Sequence, residues 1–73
     1  MTQQFNFYEE VEILPNCEHP EYIGKKGVVM GVSEEDGVIF GYAVDLYDAE
    51  YGHYFKMNCL KSTGKQFKRE DFY

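Results

Sequence analysis

The sequence is poor in cations. Seven Lys and Arg stand against thirteen Asp and Glu, a net charge of −6. A nucleic-acid binder neutralises phosphates with clustered cations, so this overall balance opposes that role. Long apolar runs are missing as well. No stretch approaches the ~20 residues of a membrane span. The opening residues, 1–14, have neither the cationic start nor the apolar run of a secretion signal. No membrane partner and a cytoplasmic location are therefore expected. Cysteine is scarce: Cys17 and Cys59 stand 42 positions apart. A small secreted domain stapled by disulfides would carry more, at tighter spacing, so a reduced chain is expected. Repeats and low-complexity tracts are absent. At 73 residues the chain has room for one domain, spanning 1–73, and none for a pair of Rossmann units or a TIM barrel.

Aromatics, by contrast, are plentiful at 18% of the chain. Each buried ring removes about 150–250 Å² from water, so few are needed to fill a thin core. Gly and Pro punctuate the sequence at short intervals. Between them lie short runs rich in Val, Ile, Phe and Tyr, which is a strand pattern. No window of helical length holds a 3.6-residue period free of Gly, so almost no α-helix is expected. The pattern predicts five strands: Val11–Leu14 (starting as early as Tyr8), Gly27–Val32, Val38–Tyr47, His53–Met57 and Lys65–Arg69. In the third, Val38, Phe40, Tyr42, Val44 and Leu46 alternate with smaller or polar residues, and period two assigns them to the core face. Phe55 and Phe67 are expected to point inward from the fourth and fifth. Ser33–Gly37 reads as a hairpin loop. Asn58–Lys61 suits a single 3₁₀ turn before the last strand, with Leu60 plugging one end. Together these elements describe an all-β fold, a small five-stranded SH3-like barrel. Gly27 before Val28 and Val29 also echoes the KOW pattern, in which Gly permits close approach of two backbones.

Few constellations offer chemistry. Cys17, His19, His53 and Cys59 are candidate zinc ligands, but their spacing fits no finger pattern and no C-x₂-C pair is present. The same residues are the candidate cysteine–histidine dyads, yet no third orienting group is evident. Gly24-Lys25-Lys26-Gly27 reads as a turn, because no helix follows to present its N-terminus to a phosphate. No catalytic residue, no metal ligand and no cofactor are expected.

The charge is unevenly spread. Residues 1–24, 25–50 and 51–73 carry −5, −4 and +3. The most unusual segment is 45–54, where Asp45, Asp48 and Glu50 interleave with Tyr47, Tyr51 and Tyr54. Tyr offers apolar area and a hydroxyl at low entropy cost, and acids around it steer basic partners. Asp45, Tyr47, Asp48, Glu50 and Tyr51 are therefore candidate partner-binding residues. Glu34, Glu35 and Asp36 form a second acidic cluster and are candidate partner-binding residues as well. The bland alternative for both is a solvated, charged turn that maintains solubility. A second functional reading is a KOW-like nucleic-acid or ribosome-associated module working through Lys61, Lys65, Lys68 and Arg69.

Several stretches taken in order point to a family. They are Phe7–Leu14, Tyr22–Gly31, Ser33–Asp36, Gly41–Val44, Leu60–Lys65 and Arg69–Tyr73. Across nearly its whole length the chain resembles the bacterial immunity protein 31 family, found beside polymorphic toxin genes. The resemblance implies a small β-rich protein that binds and neutralises a cognate toxin, and it implies no catalytic residues. A nuclease is one candidate toxin, because an acidic protein can occupy a basic cleft. The expected assembly is a monomer or weak homodimer that binds no nucleic acid.

Overall fold

In the computed structural model, the described residues are 5–17, 19–49 and 52–72. Five antiparallel strands form one sheet: β1 (Glu9–Ile13), β2 (Lys26–Glu35), β3 (Val38–Leu46), β4 (Gly52–Lys56) and β5 (Leu60–Gln66), in the order β4-β3-β2-β1-β5. The all-β expectation and its five strands hold, and no α-helix forms among the described residues. Closure is not observed. β4 and β5 end the sheet on opposite sides instead of pairing with each other.

The sheet nevertheless buries a core on one side. Val11 and Ile13 of β1, Val29 of β2, Tyr42, Val44 and Leu46 of β3, Phe55 of β4 and Leu60 of β5 belong to one cluster. A single sheet unites residues from all its strands in this way by curling over one face. Close backbone approach makes the curl possible. A Cβ at Gly27 would stand 2.6 Å from the Asp45 carbonyl oxygen and 2.8 Å from Leu46 Cα, so only glycine fits there. The tight approach expected at this position is thus present. Tyr42 is 1% exposed, and its hydroxyl accepts the Phe5 N–H at 3.1 Å, so the buried polar group is satisfied.

Bulges also bend the sheet and change which side chains face the core. The β2–β3 register shifts between Val29 and Gly31, and again between Ser33 and Glu34. Met30 on β2 and Phe40 on β3 are the residues left without a partner. Because side chains alternate with period two, the bulge at Phe40 reverses the faces beyond it. Tyr42, Val44 and Leu46 are buried as expected, but Val38 and Phe40 are 55% and 54% exposed. Ile39 turns inward and packs on the core in their place.

Three boundaries differ from the sequence expectation. β2 continues through Glu35, so the hairpin loop contracts to Asp36 and Gly37, with φ of 52° and 80°. Positive φ at both positions is the signature of a type I′ turn, whose twist matches the flanking strands. The 3₁₀ turn before the last strand is Met57–Cys59, and Leu60 opens β5 instead of ending the turn. β5 therefore begins five residues before the expected Lys65. Phe67 lies beyond the strand, half-buried, with its ring edge-to-face against Phe72 at 5.5 Å. Two further 3₁₀ turns, Pro20–Tyr22 and Arg69–Asp71, accompany the expected one.

Candidate functional site

The β2–β3 hairpin and the two residues after it carry most of the predicted contact residues, but at opposite ends. β3 is nine residues long, so at about 3.3 Å per residue its ends lie roughly 25 Å apart. Glu34, Glu35 and Asp36 sit at the turn, here called the distal end. Asp45, Tyr47 and Asp48 sit at the other, proximal end. Glu50 and Tyr51 lie outside the described residues.

At the proximal end the polar groups bond one another. Residues paired across an antiparallel sheet share a face, so Glu10, Val28 and Asp45 lie in one row opposite the core. The Tyr47 hydroxyl donates to Glu10 Oε2 at 2.6 Å, and the Thr63 hydroxyl donates to Glu10 Oε1 at 2.7 Å. To reach β1 from the end of β3, the Tyr47 ring must cross β2, the strand between them. Val28 lies under this crossing, 1% exposed yet outside the core cluster. The two hydroxyl bonds hold the Glu10 carboxyl below its ordinary pKa, and the nearby Lys65 and Lys26 charges add to this. Tyr47 is pushed up to about 12, first by desolvation and then by its bond to the Glu10 carboxylate. Tyr47 is 54% exposed. Asp48 forms an ion pair with Lys25 at 3.3 Å, while Asp45 is exposed and in no ion pair among the described residues.

The distal end differs. Glu34, Glu35 and Asp36 are exposed, and among the described residues their carboxylates make no hydrogen bond or ion pair. Beside them stand the outward-turned Val38 and Phe40. Tyr54 of β4, 67% exposed, joins Phe40 around one shallow hollow, which is also lined by Ser33 and Lys56.

Sequence reasoning placed Val38 and Phe40 in the core, and so missed them as surface. It also missed Glu10 and Thr63. Their bonds join residues 37 and 53 positions apart, and no local spacing announces such contacts. The cations of the second half do not form a separate strip. Lys61 faces Glu12 across β1 and β5, and the Lys65 ammonium lies 4.8 Å from the centre of the Phe67 ring. Cys17 and Cys59 are buried thiols lining one small cavity with His19. No group of three His, Cys, Asp or Glu able to hold a metal ion is found among the described residues.

Sheet and surface together define a small antiparallel β protein with its polar groups displayed on open faces. Residues 3–73 match the family model described as Immunity protein 31, and the chain belongs to that family. No curated protein and no solved structure matches the chain. Family membership carries an immunity function, which implies binding of a cognate toxin.

Proposed function

We propose that this protein neutralises a cognate bacterial polymorphic toxin by covering it, and that it transforms no substrate itself. The observation that carries this reading is the acidic distal turn of the β2–β3 hairpin within an immunity family. Three exposed carboxylates stand together there, in no ion pair among the described residues. Such a cluster attracts a basic partner and repels acidic ones. A nuclease, whose substrate cleft must hold phosphates, is the toxin class it suits. Asp45, Tyr47 and Asp48 add negative field and a half-exposed tyrosine at the other end of the hairpin.

The nucleic-acid reading draws less support, because Lys61 and Lys65 are interleaved with the β1 acids. The test is rescue. The toxic domain encoded beside this chain's gene is induced in cells with and without the protein. Restored growth together with co-purification of the two proteins is expected. Continued killing, or binding of the protein to RNA at low salt with no protein partner, refutes the reading.

A further inference from the structure

We infer that the toxin is anchored by an apolar side chain seated between Phe40 and Tyr54, with cationic groups of the toxin on the adjoining acidic turn. This rests on the toxin-binding reading above and names the part of the surface that supplies affinity.

Three observations converge on this place. Val38, Phe40 and Tyr54 are among the most exposed large apolar residues of the chain, at 55%, 54% and 67%. Isolated exposed apolar residues are ordinary, but these are neighbours: Phe40 and Tyr54 line the same hollow of about 170 Å³. Tyr54 also borders the smaller cavity that holds Cys17 and His19, so its ring forms a ridge between two depressions. An aromatic ridge beside a hollow is the shape into which a partner's side chain packs and excludes water, and such positions dominate interface energetics. The exposure at Phe40 is also specific. The bulge turns it outward while Ile39 takes the place in the core that regular alternation would give Phe40. A core of this size therefore leaves outside an aromatic residue that an unbulged strand would bury.

Charge selects the occupant. Glu35 pairs with Val38 across the hairpin, so one carboxylate of the turn lies directly beside an exposed apolar residue, while Glu34 pairs with the inward-turned Ile39. A second copy of this chain would bring another acidic turn to the same border, on a molecule already carrying −6. Like charges disfavour that arrangement. Lys56 also lines the hollow, so the hollow takes the apolar knob and the acidic turn beside it takes the partner's cations.

The experiment measures binding of the catalytically inactivated toxic domain from the adjacent gene to wild type, Phe40→Ser and Tyr54→Ser. Both residues are exposed, so unchanged thermal melting serves as the control for folding. Wild type is expected to bind, and each variant to lose roughly tenfold or more in affinity. The chain has no tryptophan, so Phe40→Trp supplies a single indole. Its emission is expected to shift to the blue on complex formation. Wild-type binding with both Ser variants unimpaired overturns the inference and leaves the toxin-binding reading standing. Failure of wild type to bind refutes the reading and the inference together. Sedimentation is expected to show a monomer; a dimer dispersed by Phe40→Ser would show that a second copy covers this face, and would overturn the inference.

Discussion

The two ends of the β2–β3 hairpin have similar composition and opposite circumstances. Each combines acids with apolar or aromatic residues. At the proximal end Tyr47 and Thr63 bond to Glu10, Lys25 pairs with Asp48, and Leu46 is buried beneath. At the distal end Glu34, Glu35 and Asp36 have no such partners among the described residues, and Val38 and Phe40 face solvent. The difference teaches that acidic and aromatic residues in sequence do not by themselves make a binding surface. Groups already satisfied within the fold have less to offer a partner, because binding must first replace what they hold.

The largest expected contrast is in stability. Leu46→Ala removes a buried side chain at the proximal end and is expected to cost about 2–5 kcal/mol. Val38→Ala, at an exposed distal position, is expected to stay within about 0.5 kcal/mol. Urea unfolding of the two variants checks both values. Equal costs would mean that the distal strand is packed after all.

A smaller contrast concerns the hydroxyl bridge. Tyr47→Phe keeps the ring over β2 and loses the bond to Glu10, at an expected cost of about 0.5–1.5 kcal/mol. Tyr54→Phe, in the exposed ridge, is expected to change stability by less than about 0.5 kcal/mol. Chemical denaturation of the pair measures the difference. A cost at Tyr54 matching that at Tyr47 would erase the distinction between the two ends.

The smallest effect is the dependence on pH. Glu10 has its folded pKa below the ordinary 4.5. Its contribution is therefore complete above that value and is lost as pH falls through the lowered one. Tyr47 behaves in the opposite sense: raised from 10 to about 12, it stabilises fully below pH 10, and the contribution disappears as pH climbs to 12. Glu10→Gln is expected to flatten the acid limb of a plot of unfolding midpoint against pH, and Tyr47→Phe the alkaline limb. An acid limb unchanged by Glu10→Gln would show that the bridge contributes nothing.

Much of the fold was legible because the strand pattern is local. Alternation located β3, and Gly27 marked the close approach to Asp45 and Leu46. Asp36-Gly37 announced the turn, although the strands run closer to it than expected. What escaped notice was non-local. The bulge at Phe40 reverses the faces of Val38 and Phe40, and nothing in their own alternation signals it. β5 begins at Leu60 because Ile13 of β1 pairs with it there, a partnership across most of the chain. The acidic tyrosine segment stands out by composition, but composition does not show that the Tyr47 hydroxyl is bonded to Glu10. The family, by contrast, was visible from the order of several short stretches along the sequence.

The account holds that the distal end of the hairpin meets the toxin and that the proximal end is largely committed to the fold. Association kinetics with the inactivated toxic domain test this most directly. One variant reverses charge distally (Glu34→Lys, Glu35→Lys, Asp36→Lys) and another proximally (Asp45→Lys, Asp48→Lys). Both are measured at low and high salt. The account predicts that distal reversal slows association by roughly ten- to a hundredfold at low salt, while proximal reversal slows it about threefold or less. Equal slowing by the two variants, or a greater effect from the proximal one, would contradict it.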